Sequence, residues 1–272
     1  MTKSPGRRIG MALIAAALGL AALVPLQSFA QQQQQQPQAQ KPTIVLVHGA
    51  FADSSSWDGV VRGLQARHYP VIAAANALRG PKADAASVAG VIDSIQGPVV
   101  LVGHSYGGSV ISAAAIGKAN VKALVYVAAF APEAGETALG LTGKFPGSTL
   151  GPTLAPPVPL ADGGKDLYIQ QDRFPAQFAA DVPLAKAKLM AVGQRPIAEA
   201  ALNEAAEAPA WKSVPSWFVY GDRDKNIPPA AMAFMAQRAH AVKTTVVKGA
   251  SHVVMTSKPE AVTKVIVEAA TH

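Results

Sequence analysis

The chain contains no cysteine. That excludes disulfide staples, a cysteine nucleophile and thiolate metal ligands, so stability must come from an apolar core. Charge is also scarce. Charged residues make up 15% of the 272 positions and hydrophobic residues 50%, the balance of a globular rather than a disordered chain. Aromatics are 6%, and the basic residues are scattered rather than gathered into a stripe interleaved with aromatics. No nucleic-acid partner is therefore expected. There is no internal repeat. The length suits one substantial domain.

The N-terminal stretch reads as a targeting segment. Lys3, Arg7 and Arg8 form a basic region, Met11 to Leu26 an apolar one, and Ser28-Phe29-Ala30 a small-residue cleavage site. The expectation is a signal peptide over 1–30, cleaved after Ala30, and a protein exported to the periplasm or secreted. A stable membrane anchor is not expected, because the apolar run is short for a span and contains Pro25. Residues 31–40 are a Gln-rich spacer without a core-forming pattern. The net charge is +7, of which Lys3, Arg7 and Arg8 supply three, leaving +4 on the mature chain.

From Thr43 onward, apolar runs alternate with helical patterns. Short strands are predicted at Thr43–Val47, Val71–Ala75, Val99–Val102, Ala123–Ala128, Trp217–Tyr220 and Thr244–Val247. Between them, Trp57, Val60, Val61 and Leu64 share one helix face, with Ser54 as candidate N-cap, and Val88, Val91, Ile92 and Ile95 share another. A further helix is expected over Val110–Ile116. A closing helix carries Val262, Val265, Ile266 and Ala269, opened by a capping box over Ser257–Glu260. This order predicts a mostly parallel sheet of about six strands with helices on both faces, spanning residues 41–272. Residues 132–214 break the rhythm. Their helical patches at Asp166–Gln171, Pro175–Ala180 and Pro183–Val192 predict a cap inserted between core strands.

One stretch asks for chemistry. Gly103-His104-Ser105-Tyr106-Gly107-Gly108 places a serine among three glycines directly after an apolar strand. In a nucleophile elbow the serine sits on a strained strand-to-helix turn, and small neighbours let strand and helix approach closely. The alternative is a Gly-rich loop with an incidental serine. A serine hydroxyl needs a base, a carboxylate to orient that base, and donors for a developing oxyanion. Of the six histidines, His48 and His104 flank glycine turns and read as structural. His68 and His240 fall near helix ends, and His272 is the terminus. His252 lies on a small-residue loop just past the last strand, where a base belongs. Asp222 and Asp224 both follow the penultimate strand. Asp224 is favoured as the acid and Asp222 as a residue that shapes the turn. The oxyanion donors are expected from the backbone of Tyr106 and Ala50, and Phe51, Phe130, Tyr168 and Met190 are candidate pocket residues.

With these residues in view, the chain resembles the α/β-hydrolases from Lys41 to the C-terminus. It is similar to the branch of plant methyl-ester esterases and hydroxynitrile lyases and to related bacterial esterases. The stretches that carry the likeness are LVHGAFADSSSW, GHSYGG, FAPEAGE, GDRDKNIPP and GASH. The resemblance implies an α/β-hydrolase fold, a triad of Ser105, Asp224 and His252, and Ala50 and Tyr106 as oxyanion donors. It implies no metal or organic cofactor. The lyases of this branch carry a lysine after the histidine and a threonine in the first loop, where this chain has Val253 and Gly49. The expectation is therefore a serine esterase acting on small carboxylic esters. A cofactor-free haloperoxidase or lactonase, or a hydrolase-fold protein that binds a ligand with little turnover, are the alternatives.

Overall fold

The computed structural model describes residues 40–272. The signal peptide expected over 1–30, and all but the last residue of the expected spacer, lie outside the described residues. Six strands form one sheet in the order β2-β1-β3-β4-β8-β9, every neighbouring pair parallel. They are β1 (Thr43–Val47), β2 (Val71–Ala74), β3 (Val99–His104), β4 (Val121–Val127), β8 (Ser216–Gly221) and β9 (Lys243–Val247). The expected strand count and the parallel arrangement both hold. The inner strands β1, β3, β4 and β8 are buried almost throughout, as their apolar runs IVLV, VVLV, ALVYV and WFVY require. The two edge strands β2 and β9 carry exposed positions.

Helices cover both faces. α1 (Asp58–Gln65) and α10 (Pro259–Ala270) pack together, with α10 lying on β3, β4 and β8; the short α9 (Val254–Ser257) joins them. On the other side α2 (Pro81–Asp93) packs against α3 (Gly107–Ala114), which rests on β1, β3 and β4, and α8 (Pro229–Arg238) covers β8. The predicted face of α10 is buried at Val262, Val265, Ile266 and Ala269.

Two predicted caps do not form. Asp53, not Ser54, is the cap: it accepts from Ser55 N–H at 2.8 Å and opens a short 3-10 turn before α1. Ser257 ends α9, and its hydroxyl turns back to the Val253 carbonyl, so no capping box precedes α10.

The insertion between β4 and β8 is a packed layer. It holds α4 (Ala138–Lys144), a three-stranded antiparallel sheet of β5 (Val158–Pro159), β6 (Lys165–Leu167) and β7 (Ile197–Ala198), and the helices α5 (Phe174–Phe178), α6 (Leu184–Gly193) and α7 (Glu199–Asn203). The helix expected at Asp166–Gln171 is instead strand β6 and its extension, paired to β5 and β7. The neck is closed by Trp211 Nε1–H donating to the Pro132 carbonyl at 3.0 Å and by Arg238, which pairs with Glu136 and caps the Ala131 carbonyl. Burial opposes charge on Glu136, but the Arg238 guanidinium outweighs it and holds the carboxyl below its usual range.

In chain order the path leaves β1 for β2 on one side and returns to β3 on the other. The loops after β1 and β3 therefore diverge at their C-terminal ends and leave a crevice there, the usual ligand position in an open parallel sheet.

Candidate active site

Ser105 occupies that crevice. It follows the last residue of β3 and has φ +55°, left-handed backbone that a serine adopts only under constraint. The constraint is visible in its bonds. Ser105 N–H donates to the Val127 carbonyl, and its own carbonyl accepts from Gly108 N–H and Phe130 N–H. The surrounding glycines are demanded by space. A Cβ on Gly103 would sit 2.5 Å from the Gly107 carbonyl oxygen, one on Gly107 2.5 Å from the Val47 carbonyl oxygen, and one on Gly108 would run into the Phe130 carbonyl. Those approaches bring α3 down onto β1 and β3 and lift the serine side chain clear.

Three loops converge on it. His252, five residues beyond β9, places Nε2 2.9 Å from Ser105 Oγ. Asp224, three residues beyond β8, places Oδ2 2.7 Å from His252 Nδ1. Because a carboxylate only accepts, Nδ1 carries the proton and Nε2 is left to accept from the serine hydroxyl. The other oxygen of Asp224 accepts from Asn226 N–H at 2.8 Å and Ile227 N–H at 3.0 Å, so the carboxylate cannot swing away. Asp222 does not reach His252. It accepts from Gly249 N–H and so ties the acid loop to the histidine loop.

Tyr106 and Ala50 both line the cavity beside Ser105. Among the described residues, no acceptor takes the backbone N–H of either. The next amide along, Phe51 N–H, is already committed to the Arg195 carbonyl at 2.9 Å. The Tyr106 ring itself anchors the elbow: its hydroxyl donates to Asp84 Oδ2 at 2.7 Å, and burial together with that carboxylate raises its pKa.

Of the other histidines, His48 is buried, with Nδ1–H on the Gly49 carbonyl and Nε2 accepting from Asn76 N–H. His104 is fully buried, and Nε2–H donates to the His252 carbonyl at 3.3 Å. Burial lowers the pKa of both, for His104 well below the usual histidine value, with the neighbouring His252 adding to the effect. His68 and His240 lie in the turns that follow α1 and α8, with φ +58° and +47°, and face solvent.

The cavity over Ser105 has a volume of about 130 Å³. Of the four candidate pocket residues, Phe51 and Phe130 line it. Tyr168 and Met190 do not. The segment of Tyr168 is extended rather than helical; its carbonyl accepts from Ala155 N–H, and it is Leu154, bridged to Ile169, that borders the cavity. Met190 sits on α6 over a neighbouring cavity of about 220 Å³ that shares only Phe51 with the first. The insertion instead contributes Phe178, whose ring lies 5.0 Å from the His252 ring and 6.1 Å edge-on to Phe51. Asp181 holds the insertion to the histidine loop by accepting from both Ser251 N–H and Ser251 Oγ–H. Among the described residues no group of three His, Asp or Glu side chains is placed to hold a metal ion.

Residues 44–265 match the alpha/beta hydrolase family. The chain belongs to that family. No curated protein matches the hydrolase significantly. Its fold is similar to that of polyneuridine aldehyde esterase, at TM-score 0.72 and 20% identity over 84% of this chain and 99% of that one. It is also similar to the methylesterase MES16 from Arabidopsis, at TM-score 0.68 and 17% identity over 85% and 99%. A pyrethroid hydrolase from Sphingobium faniae JZ-2 matches at TM-score 0.66 and 22% identity over 85% and 97%.

Proposed function

We propose that this hydrolase cleaves small carboxylic esters by nucleophilic catalysis at Ser105. The observation that carries the reading is the unbroken relay from Ser105 Oγ through both nitrogens of His252 to Asp224, at 2.9 and 2.7 Å. Ser105 Oγ attacks the ester carbonyl carbon while its proton passes to His252 Nε2. The carbonyl oxygen becomes an oxyanion, received by the uncommitted amides of Ala50 and Tyr106. Asp224 holds the imidazole in the tautomer that accepts this proton and stabilises the imidazolium. Collapse breaks the ester C–O bond, and Nε2–H protonates the departing alcohol. Water repeats the sequence on the acyl-enzyme, freeing the acid and restoring Ser105.

The small cavity, walled by Phe51, Phe130, Phe178, Leu150 and Leu154, supports an apolar ester of modest size. The similar folds that carry esterase and hydrolase names are consistent with the same class of reaction. A serine-directed fluorophosphonate tests the nucleophile. The proposal expects one adduct per chain, on the peptide containing Ser105, and none in Ser105→Ala. Labelling that persists in Ser105→Ala would refute it.

A further inference from the structure

The wall of the Ser105 cavity carries three polar side chains that the chemistry above does not use, Thr142, Ser148 and Asn226, and of these only Asn226 is buried. Asn226 borders the cavity and is 4% exposed. Its Nδ2 has no hydrogen-bond acceptor among the described residues. A buried amide donor left unpaired has lost its water without gaining a partner, so such a group in a folded protein calls for an explanation.

The direction of the amide is set by its neighbours. Gln177 Nε2–H donates to Asn226 Oδ1 at 2.7 Å and also to the Lys225 carbonyl at 3.0 Å. The Lys225 carbonyl can only accept, so it fixes which end of the Gln177 amide faces the acid loop. The other end, Gln177 Oε1, accepts from Thr149 Oγ1–H at 2.9 Å. Thr149 N–H in turn donates to the same Lys225 carbonyl. Turning the Asn226 amide over would set two N–H donors against each other. Gln177, itself buried, thus holds Asn226 with its oxygen toward α5 and its NH2 group unpaired. The insertion supplies the clamp, and the acid loop supplies the donor.

We propose that Asn226 Nδ2 is a specificity-determining donor for a second oxygen acceptor on the substrate, selecting esters that carry an ether or carbonyl oxygen besides the scissile group. The inference rests on the ester-hydrolase reading and adds its substrate class. Apolar walls recognise size weakly. A buried donor left unpaired by the wrong substrate discriminates far more strongly.

The test compares near-isosteric ester pairs. On the acyl side these are p-nitrophenyl methoxyacetate against butanoate and methoxypropanoate against pentanoate. On the alcohol side they are methoxyethyl acetate against butyl acetate. For each pair the ratio of kcat/KM, oxygen ester over hydrocarbon ester, is measured for wild type, Asn226→Leu and Gln177→Leu. Intrinsic reactivity cancels between proteins, and the folded fraction of a preparation cancels within a pair. In at least one pair the ratio is expected to fall about tenfold in Asn226→Leu, and to fall also in Gln177→Leu, which frees the amide to turn. A merely structural Asn226 would slow both members of every pair equally. Ratios unchanged in all pairs, with turnover still dependent on Ser105, overturn the inference alone. Absence of Ser105-dependent turnover on every ester overturns the proposed function, and the inference with it.

Discussion

Asp222 and Asp224 stand two residues apart on one loop and hold different partners: Asp222 accepts from Gly249 N–H at 2.6 Å, while Asp224 meets His252 Nδ1 at 2.7 Å. Two carboxylates that look equivalent in the string GDRD are therefore separable by experiment. Asp224→Asn should lower kcat for ester hydrolysis by roughly three to four orders of magnitude, because an amide no longer enforces the imidazole tautomer. Asp222→Asn should cost less than about tenfold, since it touches the histidine loop only through a backbone amide. Steady-state kinetics of both variants on one ester decide the point, and the reverse ranking would move the acid to Asp222.

The glycines of the elbow make a prediction about stability. Gly103→Ala directs a methyl group at the Gly107 carbonyl oxygen, backbone that cannot yield cheaply. Overpacking of this kind costs about 1–3 kcal/mol, and urea denaturation should register it. Gly90→Ala is the contrast. Gly90 lies within α2, and a Cβ there meets nothing within 4 Å. That variant should gain up to about 1 kcal/mol. Equal effects at both positions would mean that strand and helix are less tightly apposed than described.

Two buried histidines predict a pH dependence. His48 and His104 have folded-state pKa values below the ordinary 6.5. As pH falls through that value the unfolded chain binds protons that the native state refuses. Stability from these groups is thus complete above pH 6.5 and is lost toward lower pH, by up to about 1.4 kcal/mol per pH unit for each histidine. Unfolding free energies measured between about pH 7.5 and 5.5 should decline, and the decline should be shallower in His104→Gln. An identical slope in that variant would contradict the neutral, buried assignment.

Most of the sheet was legible because its inner strands are buried on both faces and so read as continuous apolar runs. Ser105 and His252 were legible for a related reason. Both lie on short loops directly after such strands, so a strand assignment fixes their place to within a few residues. The insertion was harder. Gly140 and Gly143 lower the helix propensity of α4 and hid it in a Gly- and Pro-rich stretch. The segment KDLYIQ is short and half apolar, and only pairing with β5 and β7 makes it a strand rather than a helix. Phe178 and Gln177 reach the site only through tertiary contacts, the Gln177–Asn226 bond spanning 49 residues, and no local pattern announces them.

The central claim is that Ser105 is a nucleophile acting on esters. Hydrolysis of a p-nitrophenyl ester series from acetate to laurate, by wild type beside Ser105→Ala, tests it most directly. The account predicts turnover by the wild type, strongest for short acyl chains that a cavity of about 130 Å³ admits, and a loss of roughly a thousandfold or more in the variant. Equal turnover by both proteins would contradict it.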